Sequence, residues 1–159
     1  MIFITVGTQK FQFNRLLKEI DRLIEEEIIT EEVFAQIGYS DYKPKNYKYK
    51  EFIDRDEFQD VIKRSKIIIT HGGTGSIIGS VKQRKKVVAV PRLKEFGEHV
   101  DNHQIQIVSE FEVIGFIEVA KNIDMLGNAI SNIDKLELKE YISNTAKIIK
   151  EIEVFIRKI

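Results

Sequence analysis

Residues 67–79, Ile67-Ile68-Ile69-Thr70-His71-Gly72-Gly73-Thr74-Gly75-Ser76-Ile77-Ile78-Gly79, constrain the fold more than any other stretch. A β-branched run stops at a glycine-rich turn, and an apolar, helix-like pattern resumes behind it. Strand, tight turn and helix in that order build parallel α/β sheets, whose ligands sit outside the carboxyl ends of the strands. Gly72, Gly73 and Gly75 remove side chains there, so backbone N–H groups can approach an anion closely. The helix behind adds unpaired N–H groups and the positive end of its dipole, while Thr74 and Ser76 add hydroxyls. Such a loop holds a diphosphate without a lysine. The plainer alternative is a strand-to-helix turn with no ligand.

Three known loop types are weighed against it. A Walker loop needs Gly-Lys-Ser/Thr after its glycines, and here the helix begins Ser76-Ile77-Ile78. Residues 73–78 miss the last glycine of a G-x-G-x-x-G dinucleotide fingerprint by one position, and no acid stands where the ribose of NAD would need one. His71-Gly72-Gly73 is like a hydrolase oxyanion loop, yet the chain has no G-x-S-x-G nucleophile elbow.

The flanking pattern repeats the same theme. Ile2 to Val6 reads as a buried strand ending at Gly7-Thr8-Gln9, followed by helical spacing through Phe13, Leu16, Leu17, Ile20, Leu23 and Ile24. Thr8 and Gln9 serve either a ligand or simple helix capping. Val33 to Ile37 is a second strand, closed by Gly38. The lysine- and tyrosine-rich residues 39–50 could stack bases or meet an anionic membrane surface. Pro44 and the local alternation favour an exposed loop leading into an edge strand through Phe52 and Ile53. Asp54-Arg55-Asp56-Glu57 has capping-box spacing for a short helix ending near Lys66. Val87 to Val90 and Phe116 to Val119 complete about six strands alternating with helices. The expected fold is therefore α/β: an open, mostly parallel, Rossmann-like sheet with helices on both faces. Its loops at 7–9, 71–76 and 92–104 all follow strands and are expected to converge on one crevice.

Arg92 to Gln104 is long and polar for a connection in a compact domain, which marks function. Within it, Asp101 and Gln104 have the spacing to cap the next helix reciprocally. His99 and His103 stand four apart, but a cap at Asp101 would break the shared helical face that a metal site requires, so no metal site is expected. From Leu136 to Ile159 apolar residues recur at helical spacing, predicting a C-terminal amphipathic helix within a single domain of residues 1–159.

Charge excludes one class of partner. Lys+Arg and Asp+Glu are equal at 25 each, so no global field draws nucleic acid. The chain has no cysteine, hence neither disulfides nor thiolate metal sites, and no run of ~20 apolar residues that would span a membrane.

Gly7-Thr8-Gln9, His71-Gly72-Gly73-Thr74-Gly75-Ser76 and Asp101-Asn102-His103-Gln104, taken in this order, resemble the C-terminal domain of glycosyltransferase family 28, a GT-B fold, and in particular its stand-alone form. Those stand-alone proteins are donor-binding subunits of transferases that make dolichol-linked chitobiose, exopolysaccharide or capsule. The resemblance covers nearly the whole chain. It implies one half of a GT-B enzyme that binds a UDP-sugar as donor substrate, with no other cofactor. It also implies a membrane-anchored partner subunit carrying a lipid-linked saccharide acceptor, and so a cytoplasmic chain recruited to the inner face of the membrane. On this resemblance Gly7, Thr8 and Gln9 line the diphosphate beside His71, Gly72, Gly73, Thr74, Gly75 and Ser76, while Asn102 and Gln104 reach the sugar or pyrophosphate. One departure is notable: Gly79 occupies the helix position where the family commonly carries a ribose-binding glutamate.

Transfer from such a donor needs stabilisation of the departing diphosphate and a base for the acceptor hydroxyl. No D-x-D pair is left in a loop once Asp54 and Asp56 open a helix, so metal-independent hexosyl transfer is expected. Glu98 and His99 are the leading base candidates because their loop should face the cleft, ahead of His71 and His103. A non-catalytic subunit that activates a partner transferase is the alternative reading.

Overall fold

The computed structural model describes residues 1–143, 149–150, 153–154 and 156. Six parallel strands form one sheet: β1 (Ile2–Thr5), β2 (Val33–Gln36), β3 (Lys48–Lys50), β4 (Ile67–Thr70), β5 (Lys86–Ala89) and β6 (Glu118–Val119). Their order is β3-β2-β1-β4-β5-β6. The β-branched runs take the centre: β1 and β4 are buried along their whole length, as strands covered on both faces must be.

Helices α1 (Asn14–Glu25) and α5 (Leu126–Asn132) cover one face. Helices α2 (Arg55–Arg64), α3 (Thr74–Val81) and α4 (His103–Ile114) cover the other. Two cores result. Ile2, Ile4, Ile67 and Ile69 pack beneath α1 through Leu16, Leu17, Ile20 and Leu23. Phe3, Ile68, Val87 and Ala89 pack beneath α2–α4 through Val61, Ile62, Ile77 and Val108. Alternate residues of one strand thus feed opposite cores, as the two-residue period of a strand requires.

Register sets up the site. Thr5 pairs with Gln36 on one side and Thr70 on the other, and Thr70 pairs with Ala89. Four strands therefore end level, and the turns after them begin at one height. Chain order reverses between β1 and β4, so α1 and α3 leave toward opposite faces and open a crevice at that switch point.

The structure departs from the expected elements in four places. The edge strand is Lys48–Lys50, three exposed residues, whereas Phe52 and Ile53 belong to the turn into α2. The lysine–tyrosine segment is tied down from within: Tyr42 Oη donates to Asp21 (2.6 Å), Tyr47 Oη donates to the Leu17 carbonyl (3.0 Å), and Lys43 and Lys50 pair with Glu51 and Glu57. Helix α5, in a stretch where no element was expected, packs with α1 on the same face through Leu126, Ala129 and Ile130. The fourth departure is at 136–143, which lacks helix. Leu138 joins the α1-side core while Tyr141 packs on Phe116 in the other, so this segment must round the sheet edge as extended chain. Of the rest of the expected C-terminal helix, residues 149, 150, 153, 154 and 156 are helical, and 144–148, 151–152, 155 and 157–159 lie outside the described residues.

Candidate functional site

Two glycine turns meet around one imidazole. Val6 and Gly7 follow β1; His71, Gly72 and Gly73 follow β4. A Cβ on Gly7 would lie 2.6 Å from His71 Cε1, and one on Gly73 would lie 2.5 Å from His71 Nε2. Real Cβ atoms essentially never come that close, so both positions must be bare for the ring to stand between them. Gly7 also has φ +75°, a left-handed conformation open mainly to glycine. Gly72 serves a different purpose: with φ +88°, its missing Cβ makes room for Val108 of α4. Of the glycines in these two turns, Gly75 faces open space, leaving the first turn of α3 uncovered there.

His71 is 7% exposed. Its Nδ1 lies 3.3 Å from the Thr5 carbonyl, which can only accept, so Nδ1 carries the proton and Nε2 is left as a lone pair between the turns. Burial, reinforced by the nearby charge of Arg92, pushes the imidazole pKa down to about 4. The ring is neutral near pH 7.

A cavity of about 290 Å³ opens beside these turns. Gly7, Thr8, Gly75 and Ser76 form one end; Ile53, Phe58 and the start of α2 form the other. Thr5 and Gln36 line its floor, where Thr5 Oγ1 donates to Gln36 Oε1 at 3.4 Å. The N-termini of α2 and α3 both reach this cavity, so unpaired N–H groups and two positive dipole ends point into it. A larger cavity of about 560 Å³ lies along α1 between Gln12, Arg22 and Phe96, but it misses the glycine turns and the switch point.

The 92–104 connection uses its polar groups mainly on itself and on α1. Glu98 is fully buried: its carboxylate accepts Arg15 Nε at 3.0 Å, Arg15 Nη2 at 2.9 Å and the Leu93 N–H at 3.0 Å. That corrects the expectation that Glu98 faces the cleft: its carboxylate is buried and held by a bidentate guanidinium and a backbone donor. Arg92 is fully buried as well, donating to the carbonyls of Val6 (2.5 Å), Phe11 (3.2 Å) and Glu98 (3.2 Å). Its guanidinium lies 5.4 Å from the Phe13 ring centroid, and its Nε is buried without an acceptor among the described residues. Burial lowers its pKa to about 10, still charged at neutral pH. Sequence reasoning passed over the pairing of Arg92 and Arg15, since nothing local marks an arginine with partners 76–86 residues away.

Asn102 and Gln104 are oriented by the same connection. Gln104 Oε1 accepts the Arg92 N–H (3.1 Å) and Asn102 Oδ1 accepts the Lys94 N–H (2.9 Å). Both carbonyls are thereby anchored, leaving the NH2 groups as the donors each side chain has to offer. The reciprocal cap expected between Asp101 and Gln104 is absent: Asp101 Oδ1 takes the His103 N–H (3.0 Å), and Gln104 turns inward. His99 lies beside Phe11 with ring centroids 5.6 Å apart, and its Nδ1 meets Asp101 Oδ1 at 3.0 Å. His103 Nδ1 instead faces Gln106 at 3.2 Å. Thr8 and Gln9 are exposed at the crevice rim. Among the described residues, no three His, Cys, Asp or Glu side chains gather where they could hold a metal ion, and no helix is long and apolar enough to cross a membrane.

Strand order 3-2-1-4-5-6 with a crevice at its switch point defines a Rossmann-like domain, the fold this chain shares with GT-B glycosyltransferases. The chain belongs to the glycosyltransferase family 28 C-terminal domain family, whose model matches residues 1–158. A search of curated protein sequences returns no match. Among solved structures, the NMR solution structure of ALG13 is similar over 95% of this chain and 93% of its own, with TM-score 0.62 and 18% identity. MurG of Acinetobacter baumannii matches 84% of this chain and 42% of its own, with TM-score 0.57 and 17% identity. The glycosyltransferase SsfS6 of Streptomyces sp. SF2575, solved with thymidine diphosphate, matches 84% of this chain and 32% of its own, with TM-score 0.57 and 16% identity. The chain thus spans about a third of the length of several glycosyltransferases whose fold it shares. At such identities these likenesses speak for the fold.

Proposed function

We propose that this chain is the donor-binding catalytic subunit of a two-component glycosyltransferase. It takes a hexose from a UDP-sugar and, with a membrane-bound partner that presents a lipid-linked glycan, works in capsule or exopolysaccharide synthesis. The observation that carries the reading is the crevice at the β1/β4 switch point, where Gly7 and Gly73 bracket His71 and two helix N-termini converge on one cavity. Preorganised N–H groups there suit the charge that develops on a departing diphosphate, without calling on a metal ion. The NH2 groups of Gln104 and Asn102, whose carbonyls are anchored on the Arg92 and Lys94 N–H groups, are the donors this connection offers a sugar. Thymidine diphosphate bound to SsfS6 shows that a protein of this fold accepts a nucleoside diphosphate.

His99 is the better candidate for the base, being partly exposed and oriented by Asp101, whereas Glu98 is committed to Arg15. The burial of Glu98 also gives the second reading its footing. If no base on this chain faces the acceptor, the subunit binds donor, or only activates, while the partner supplies the base.

The test is a ligand-observed NMR competition among UDP, ADP, GDP and NAD, with Gly73→Val as control. Its side chain collides with the His71 ring. Selective UDP binding that Gly73→Val abolishes supports the donor site. Binding of NAD in preference to UDP sinks it. Turnover with the partner, with and without His99→Ala, then separates catalyst from activator.

A further inference from the structure

We propose that Arg92 supplies the positive charge that the donor's diphosphate meets from behind the β1 turn, a role that rests on the donor-site reading above and goes beyond bracing. The bracing is plain in the bonds. Nη2 donates to the Val6 carbonyl and Nη1 to the Phe11 carbonyl, so one guanidinium spans both ends of the turn Gly7-Thr8-Gln9-Lys10. Nη1 also reaches the Glu98 carbonyl. Those bonds engage carbonyl dipoles and leave the charge itself unneutralised. Among the described residues Arg92 donates to no carboxylate, and its buried Nε has no acceptor at all. The neighbouring carboxylate, that of Glu98, is taken by Arg15 through bonds of 3.0 and 2.9 Å. Arg15 and Arg92 therefore share one acid, and the cluster keeps a positive charge in excess.

Folding alone has no need of that excess. A buried cation without a matching anion is destabilising, and apolar side chains of similar size fill such places more stably. The charge is nevertheless aimed at the crevice. It bears on the His71 ring, the imidazole wedged between Gly7 and Gly73, and helps to keep that ring neutral. Its field thus reaches the point where the two glycine turns meet. The hydroxyls, backbone N–H groups and neutral imidazole there carry no full charge. A nucleoside diphosphate brings several negative charges, and a helix end answers with only about half of one. Lys10, in the turn itself, is exposed, where water and salt weaken its field. Arg92 is fully buried against the Phe13 ring, and a charge in such a medium is felt farther away. Held by three carbonyls, it stands in place before any donor arrives, which is how preorganised charge favours a departing diphosphate without touching it.

The experiment titrates uridine, UMP and UDP onto the full chain by ligand-observed NMR. It uses the parent protein, Glu98→Gln, Arg92→Met and Arg92→Lys, each checked for folding by circular dichroism. Glu98→Gln keeps Arg92 and the shape of the cluster while adding a second uncompensated positive charge. UDP affinity rises severalfold in it, UMP affinity rises less, and uridine is unchanged. Arg92→Met lowers UDP affinity roughly tenfold against unchanged uridine. Arg92→Lys, which has the charge without the fork, recovers part of that loss. A UDP-to-uridine ratio that stays at the parent value in Glu98→Gln overturns the proposal, whether or not Arg92→Met folds, because a mere brace ignores a neighbour's charge. Equal weakening of uridine and UDP in Arg92→Met overturns it too. If the parent protein binds none of the three, the nucleotide site itself is refuted, a different failure from a parent that prefers UDP with a ratio indifferent to the cluster.

Discussion

The connections after β4 and β5 begin level on adjacent strands, yet they use polar residues in opposite ways. The short 71–76 turn keeps groups open: the Thr74 and Ser76 hydroxyls and the His71 Nε2 have no hydrogen-bond partner among the described residues. The longer 92–104 connection closes its groups on the protein, through Arg92 to Val6 and Phe11, Glu98 to Arg15, Gln104 to Arg92 and Asn102 to Lys94. The lesson concerns charge. A formal charge that the fold has buried must be answered by the fold, so Glu98 and Arg92 serve as struts between the β5 connection and the β1 turn. What is left for a ligand is what the fold had no need to answer. A loop rich in acids and histidines therefore looked catalytic in sequence, although its most prominent acid is structural.

The sharpest way to break this contrast is at Glu98. Glu98→Ala strands Arg15 and removes the acceptor of the Leu93 N–H, and loss of one partner from a buried pair costs about 3 kcal/mol or more. Urea unfolding is expected to show that loss. A variant of parent stability with turnover abolished would reverse the assignment and return Glu98 to catalysis.

His71 gives the next largest effect. Its folded pKa of about 4 lies below the ordinary value of 6.5, so the unfolded chain binds its proton first as pH falls. The native state keeps its full margin above pH 6.5 and loses up to about 3 kcal/mol between there and pH 4. Unfolding followed against pH in the parent and in His71→Asn should show this slope only in the parent. An identical slope in both would mean that the ring is not buried as a neutral group.

The smallest effect on stability is expected at His99. Its contact with Asp101 is exposed, and such pairs contribute about 0–1 kcal/mol, so His99→Ala unfolds at nearly the parent urea concentration. Any fall in turnover with the partner present then reports chemistry. Unchanged turnover assigns the base to the other subunit.

Much of this architecture could be read from residues alone. Ile2–Thr5 and Ile67–Thr70 announce themselves because a strand buried on both faces is an unbroken β-branched run. The glycine turns were visible too, though for partly different reasons than anion approach: Gly7 and Gly73 yield to His71, and Gly72 yields to Val108. The Arg15–Glu98–Arg92 cluster was not legible, because partners 83 residues apart leave no periodic trace. Nor was the path of 136–143. Leu138 and Tyr141 have helical spacing, but each belongs to a different core, and only the position of the sheet edge reveals that.

The ring of His71 acts as a shim whose thickness sets the gap between two turns. Positions 7, 71 and 73 are accordingly one inherited character rather than three. A lineage that replaced the histidine by a smaller residue would at once relax the steric ban at 73, and partly that at 7, where the left-handed backbone still resists a side chain. A lineage that first put a side chain at 73 would have to expel the ring. Descent through this corner of the protein has an order: the wedge must shrink before either turn can change.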